Sequence, residues 1–258
     1  MNRKIKKILK KKKNSKIICL TSYSKNIAEE ADKYADIILV GDSLGSVLYN
    51  HDTTKKVTLT NMIDHSKSVR LGVKKSLMVV DMPYQTYNST KTALKNAKKI
   101  MRETRCDAVK LEGGKEIIKQ IKLLIKNKIP VMGHLGLLPQ TNKGKFKSKG
   151  RTDKEKKQLI DDSLLLQKSG VFSIVLECVK TSTANSITKE LEIPTIGIGS
   201  SVFCDGQVLV TDDLIGLNQT NIKFVKKFLN VKKYISSGLR KFAFDVRSKK
   251  YPSKKHSY

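Results

Sequence analysis

Short apolar runs alternate with helical stripes along almost the whole chain, and this rhythm constrains the fold more than any other feature of the sequence. The runs are Ile17 to Leu20, Ile37 to Val40, Leu77 to Val80, Ala108 to Glu112, Val131 to Gly133, Ile174 to Leu176, Thr195 to Ile198 and Gln207 to Val210. Between them lie apolar stripes at helical spacing. Ile27, Ala31 and Tyr34 follow Ser24 as a predicted N-cap, and Ile63, Ser66 and Val69 follow Thr60, with Gly72 closing that helix. Further stripes are Ala93, Ala97, Ile100 and Met101, then Ile117, Ile121, Leu124 and Ile125, then Leu159, Ser163 and Leu166, then Ala184, Ile187 and Leu191. Two helices are predicted to finish the chain, one carrying Ile222, Val225 and Leu229, the other Val231, Ile235, Leu239, Phe242 and Val246. Strands that alternate with helices form a parallel sheet with the helices outside. Eight such units in 258 residues predict an α/β fold, a single-domain (β/α)8 TIM barrel, rather than an open sheet. The predicted division is a basic segment 1–16 ahead of a barrel domain 17–258. The link Ser200 to Gly206 between the last two strands is short enough to be a loop or a single turn.

Four of the runs end on an acid: ILVGD at Asp42, LMVVD at Asp81, AVKLE at Glu112 and SIVLE at Glu177. An acid at the end of a core strand is costly unless it is paired or binds a cation. A barrel gathers the carboxyl ends of its strands at one face, where chemistry sits. Asp42, Asp81 and Glu112 are hard oxygen donors of the kind that suit Mg2+. Each taken alone also fits a turn former or helix cap, Asp81 before Met-Pro above all. Lys110 shares its strand face with Glu112, two residues on, and either pairs with that acid or meets a substrate carboxylate. Glu177 follows a fully apolar strand. Burial there would raise its pKa and suit a general base, although a capping acid fits the position too. His134, in GHLG at a strand end, is read as an orienter. The glycine strings GDSLG, LEGG and GIGS match neither phosphate-loop nor dinucleotide patterns.

Composition narrows the partners. Lys plus Arg number 52 against 23 Asp plus Glu, a formal net charge of +29. Such an excess is compatible with nucleic acid, an acidic membrane surface or an anionic substrate. The lysines are spread over helix faces and loops, however, alongside many Ile and Asn, as AT-rich coding produces. Aromatic residues, at 6%, are too sparse for base-stacking platforms. No helix-turn-helix, RNA-recognition or zinc-finger pattern is present, so neither nucleic acid nor a membrane is the expected partner. Cys19, Cys106, Cys178 and Cys204 form no C-x-x-C pair and read as reduced residues of a cytoplasmic protein. The start, MNRKIKKILKKKKNSK, lacks the apolar stretch of a signal peptide and reads as a surface helix with a solvated basic face.

GDSLG, HDTTKKVT, DMPY, VKLEGG, GHLGLLPQ, VLECV, IPTIGIG and DGQVLV occur in the order and spacing of one family. From about Ile17 to the closing YPSKKHSY, the chain resembles ketopantoate hydroxymethyltransferases. The resemblance implies a (β/α)8 barrel and a homo-oligomer, typically a decamer. The implied activity is transfer of a hydroxymethyl group from 5,10-methylenetetrahydrofolate to 3-methyl-2-oxobutanoate through a Mg2+-stabilised enolate, giving 2-dehydropantoate in pantothenate synthesis. It further implies Asp42 and Asp81 as Mg2+ ligands, with Glu112 completing the site partly through water. Asp42, Ser43, Asp81 and Lys110 would contact the oxo acid, Glu177 would accept the proton and His134 would orient. Two departures from the family pattern lie away from these positions: a loop TNKGKFKSKGR that is shorter than usual and carries Lys143, and Ser201 where the family has Gly. The alternatives are another Mg2+-dependent 2-oxo-acid lyase or mutase barrel and, more remotely, a basic nucleic-acid-binding protein.

Overall fold

The computed structural model describes residues 2–141, 147–218 and 221–258. The chain forms two compact units, one ending at Val210 and one spanning Thr211–Tyr258. In the first unit the elements run α1 (Arg3–Lys10), β1 (Ile17–Thr21), α2 (Lys25–Ala31), β2 (Ile37–Val40), α3 (Leu44–Tyr49), α4 (Leu59–Gly72), β3 (Leu77–Asp81), α5 (Thr90–Thr104) and β4 (Ala108–Glu112). They continue with α6 (Ile118–Lys126), β5 (Val131–Gly136), α7 (Asp153–Lys168), β6 (Ser173–Glu177), α8 (Thr181–Glu190), β7 (Thr195–Ile198) and β8 (Gly206–Leu209). The eight strands close into a barrel in sequence order, each pair parallel. This is the expected TIM barrel.

Strand side chains alternate between two separate apolar clusters, as a period of two requires. Ile38, Val40, Met78, Val80, Val109, Leu111, Ile174 and Leu176 pack outward against the helices. Ile17, Cys19, Ile37, Leu39, Leu77, Val79, Ala108, Met132, Val175, Ile196 and Val208 fill the barrel interior. The same parity, carried to the strand ends, points Asp81, Lys110, Glu112, His134 and Glu177 inward at the carboxyl face.

The basic start of the chain forms the expected surface helix, with Arg3, Lys6, Lys7 and Lys10 exposed, but its apolar face is buried. Asn2 caps α1 by accepting from Lys4 N at 2.8 Å. Ile5 and Ile8 are buried with the interior cluster, so α1 closes the amino end of the barrel. Lys4 of α1 and the lysines just after the helix reach acids that precede strands there, Lys4 Nζ lying 3.4 Å from Asp107. Lys11 Nζ lies 2.8 Å from Asp36, and Lys12 Nζ lies 2.8 Å from Asp205 with Thr188 O at 2.7 Å. Residues 2–16 thus belong to the same compact unit as the barrel strands.

Two local expectations change. The helix expected to bury Tyr34 ends at Ala31, and Tyr34 is exposed. The cap of α4 is Thr58, not Thr60, because Thr58 and Asn61 exchange reciprocal hydrogen bonds in a capping box. Gly72 is the last residue of α4, and a Cβ on it would meet Lys25 O at 2.5 Å; its glycine is what lets α4 approach α2. The short link 200–205 has no helix or strand, as expected. Ser201 organises it, accepting from Phe203 N at 3.1 Å and bonding Asn185, while Ser201 O accepts from Gln207 Nε2 at 2.7 Å.

The second unit holds α9 (Thr211–Leu214) and α10 (Val231–Arg247). The helix expected over Ile222, Val225 and Leu229 is absent; a turn closes there with Val225 N donating to Ile222 O at 3.0 Å. A ten-residue stretch is marginal as a helix by itself. Its backbone is used instead in the bond from Phe228 N to Leu214 O at 2.8 Å.

Asp32, at the carboxyl end of α2, sits where a negative charge is disfavoured by the helix dipole. It stays because it accepts from the backbone N–H groups of Lys74, Lys75 and Ser76 at 2.8–3.1 Å, anchoring the turn into β3. Burial raises its pKa, but those backbone donors outweigh burial and hold it below the usual value. Asp32→Ala should cost ~2 kcal/mol in urea unfolding at pH 7, leaving buried donors unpaired. Because the folded pKa lies below the unfolded one, this contribution is full above a pH of about 4 and lost as pH falls through the folded value. The difference between wild type and variant should therefore close on acidification.

Candidate active site

The carboxyl ends of β2 to β6 bring the predicted residues together. Asp42, Asp81, Lys110, Glu112 and His134 are each no more than 4% exposed. Register places Asp81 beside Lys110, Glu112 beside His134, and Gly136 beside Glu177. Lys110 Nζ lies 3.1 Å from Asp81 Oδ1 and 3.2 Å from His134 Nδ1. Lys110 was open between pairing with Glu112 and meeting a substrate; its ion pair is with Asp81. The other Asp81 oxygen, Oδ2, accepts from Asp42 N at 3.1 Å, so β2 and β3 are tied at the site.

Asp42 follows Gly41 just beyond β2, and Ser43 caps α3. A side chain at Gly41 would come within 2.8 Å of Ser43 Oγ, so glycine leaves that hydroxyl in place. Tyr23 OH fixes the same hydroxyl from β1 at 2.8 Å. Across the barrel, Glu177 keeps 16% of its side chain exposed, the most accessible of the site's acids. Two special conformations turn the chain around it. Cys178 adopts φ 50°, and Gly136 adopts φ 98° where a Cβ would lie 2.2 Å from Glu177 O. Leu137 N donates to that carbonyl at 2.8 Å.

His134 lies between Lys110 and Glu177. Burial and the Lys110 charge hold its pKa below the ordinary value, so the ring is neutral. An ammonium has donors only, so Nδ1 accepts from Lys110 and the ring proton sits on Nε2. That proton faces Glu177 Oε2, 3.3 Å away, short of full hydrogen-bond alignment. Glu112 Oε1 lies 3.6 Å from Nδ1.

Gln140 and Tyr87 belong to this cluster and were not singled out from the sequence. Gln140 Nε2 donates to Asp42 Oδ2 at 2.8 Å and to Met82 O at 3.0 Å, and Gln140 N donates to Glu112 Oε2 at 3.1 Å. Tyr87 OH donates to Gln140 Oε1 and, at 3.3 Å, to Glu112 O. Gln140 ends the string GHLGLLPQ and Tyr87 lies three residues after DMPY, but neither is a charged group at the end of an apolar run. Lys143 of the basic loop lies outside the described residues.

The charges do not balance. Asp42, Asp81, Glu112 and Glu177 face one ammonium. Burial, then the Asp81 charge and the more distant Glu177, push Asp42 up to about 7 against the pull of Lys110 and Gln140. Burial, then the Asp42 charge, raises Glu112 well above the usual carboxylate range. Burial disfavours the Lys110 charge, but Asp81, Glu112 and Asp42 more than offset it and raise its pKa. This donor set fits a hard divalent cation. Among the described residues no three His, Cys, Asp or Glu side chains converge to chelate a metal unaided. A pair such as Asp42 and Asp81 suits Mg2+, which retains waters and completes its shell with substrate oxygens.

The model of the ketopantoate hydroxymethyltransferase family matches residues 2–254. A 3-methyl-2-oxobutanoate hydroxymethyltransferase of Pelagibacter ubique (strain HTCC1062) is 62% identical over 258 residues, covering all of both chains. One from Rhizobium etli is 45% identical, covering 94% of this chain and 90% of its own. Among solved structures, a phosphonopyruvate hydrolase complexed with oxalate and Mg2+ aligns with a TM-score of 0.63 at 9% identity, covering 98% of this chain and 93% of its own. A 2,3-dimethylmalate lyase of the PEP mutase/isocitrate lyase superfamily aligns with a TM-score of 0.60 at 11% identity, covering 96% of this chain and 99% of its own. At such identities the two structures speak for the fold alone. The sequence matches span the barrel and every residue of the site just described, and the chain belongs to the ketopantoate hydroxymethyltransferase family.

Proposed function

We propose that this enzyme transfers a hydroxymethyl group from 5,10-methylenetetrahydrofolate to 3-methyl-2-oxobutanoate, giving 2-dehydropantoate for pantothenate synthesis in the cytoplasm. The observation that carries the reading is the placement of Glu177. The most accessible acid of the site lies against the neutral His134, with the Lys110–Asp81 pair on the far side of that ring. One end of the cluster is built to hold an anionic oxo acid and the other to take a proton from it.

Lys110 offsets the substrate carboxylate. The Ser43 hydroxyl, oriented by Tyr23, donates to a substrate oxygen beside Asp42. Mg2+ held by Asp42 and Asp81 would supply Lewis acidity to the carboxylate and keto oxygens, making the C3 proton more acidic. Glu112, with one oxygen on Gln140 N and the other toward His134, would add its negative charge to the hold on that cation. Glu177 accepts the C3 proton, and the Nε2 proton of His134 keeps its carboxylate aimed. The substrate C3 then bonds to the methylene carbon of the folate as that carbon's two C–N bonds break, water supplying the hydroxyl oxygen and tetrahydrofolate leaving. A second reading, another Mg2+-dependent 2-oxo-acid lyase or mutase, would be favoured by turnover in the absence of any folate donor.

The family's homo-oligomeric state is proposed here too. At +29 per chain, like charges oppose assembly, and screening weakens that opposition. Sedimentation should therefore show partial dissociation at low ionic strength and recovery at physiological salt; an unchanged mass across the range would place the lysines away from the interfaces.

Two variants test the chemistry. Asp81→Asn should fold normally by circular dichroism and lose roughly 10²-fold or more in turnover at low Mg2+. Wild-type turnover there would remove Asp81 from the metal site. Glu177→Gln should slow exchange of the C3 proton of the oxo acid in deuterated water by about 10²–10⁴-fold, with or without folate. Normal exchange in that variant would move the base to another group, with His134 the next to test.

A further inference from the structure

We propose that Gln140 is a positioning residue that sets Asp42 and Glu112 for the cation, a role that rests on the Mg2+ reading above. Gln140 is 1% exposed, and all its polar atoms facing the site are engaged. Its amide orientation is unambiguous. Met82 O can only accept, so the nitrogen must face it, and the second amide proton then falls on Asp42 Oδ2 at 2.8 Å. The amide oxygen is left to accept from Tyr87 OH, whose residue is held in turn by Gln120 Nε2 donating to Tyr87 O at 3.2 Å. Through its backbone N–H the same residue takes Glu112 Oε2 at 3.1 Å.

Gln140 thus occupies one oxygen of each of two acids that come from different strands. It fixes the plane of the Asp42 carboxylate and leaves Oδ1 as the oxygen free to meet a cation. It also links the loops after β2, β3 and β5, since Asp42, Met82 and Gln140 itself lie just beyond those strands. A ligand carboxylate whose second oxygen is hydrogen-bonded loses little freedom when the cation binds, and groups in this position tune metal affinity without touching the metal. A filler of the core would need none of these four bonds.

The test uses the whole enzyme with Mn2+ as the spectroscopic probe. Free Mn2+ is counted by electron paramagnetic resonance in wild type, Gln140→Leu and Tyr87→Phe. Gln140→Leu should weaken Mn2+ binding about 10–100-fold. Tyr87→Phe, which frees the amide to turn and removes the weaker bond to the Glu112 carbonyl, should weaken it by a smaller factor in the same direction. In turnover, the Mg2+ needed for half-maximal rate should rise by the same factors, while kcat at saturating Mg2+ returns to within a few-fold of wild type. A variant that binds Mn2+ like wild type overturns the role, as does a loss of kcat that saturating metal leaves unrestored, which marks a merely structural residue. If Gln140→Leu does not fold, Tyr87→Phe decides by the same criterion. Wild type that binds no Mn2+ defeats the metal reading itself, a result distinct from equal binding by wild type and variants.

Discussion

The ion pair between Lys110 and Asp81, 3.1 Å long and sealed inside the barrel mouth, is the contact around which the site is arranged. It can form only because adjacent parallel strands put residues of matching parity side by side, Asp81 on β3 against Lys110 on β4. A register slip of one residue would send both charges into the apolar layer under the helices. The pair also decides the state of its neighbours. With Lys110 donating to His134 Nδ1, the imidazole stays neutral and presents a proton toward Glu177. The surroundings of Glu177 thus follow from a lysine two strands away, through one ring.

The two ends of the barrel use charge in opposite ways. At the amino end, lysines of α1 and just after it meet acids ahead of the strands. Lys12 and Asp205 are both buried, and Asp205 also accepts from Thr195 N at 2.9 Å and from Thr195 Oγ1. Those pairs are balanced and satisfied, so they lock structure. At the carboxyl end acids outnumber cations and remain only partly satisfied. Buried charge left uncompensated is destabilising, and a fold retains it where it has work to do.

Much of this was legible in the sequence because it depends on period and on chemistry at run ends. The strands over 37–40, 108–112 and 195–198 are found as predicted, since each is a continuous apolar run bounded by turn residues or an acid. The site acids were legible for the same reason: a charge that ends an apolar run has few structural explanations. What was not legible depends on contacts remote in sequence. The basic start reads as solvent-facing, and Arg3, Lys6, Lys7 and Lys10 are; that Ile5 and Ile8 seat it on the barrel and that Lys12 is buried against Asp205 depends on residues far away in the chain. The turn at 222–225 carries helical spacing, but the backbone bond from Phe228 N to Leu214 O ties that segment to a contact remote in sequence. Gln140 looks like one polar residue in a loop, and its importance comes from Asp42, Met82 and Glu112, none of them near it in the chain. Gly72 was read as a helix stop, while its purpose is the close approach of α4 to α2.

The charge of the whole molecule and that of its site pull in opposite directions. A chain of +29 attracts anions from a distance set by screening, about 8 Å at physiological salt, and so favours encounter with the anionic substrates proposed above. Within the barrel mouth the sign reverses, because Asp42, Asp81, Glu112 and Glu177 confront a single ammonium. An arriving carboxylate is drawn to the surface and then repelled unless that excess is neutralised. Protonation can do this in part, since Asp42 is pushed up to about 7. A proton on Asp42, however, removes an oxygen donor and leaves nothing to draw electrons from the keto group. A divalent cation removes the same repulsion while adding that pull. On electrostatic grounds, then, the cation should precede the oxo acid in the order of binding, and Lys110, too tightly held by Asp81 to neutralise four acids alone, should serve the substrate carboxylate only after the cation is in place.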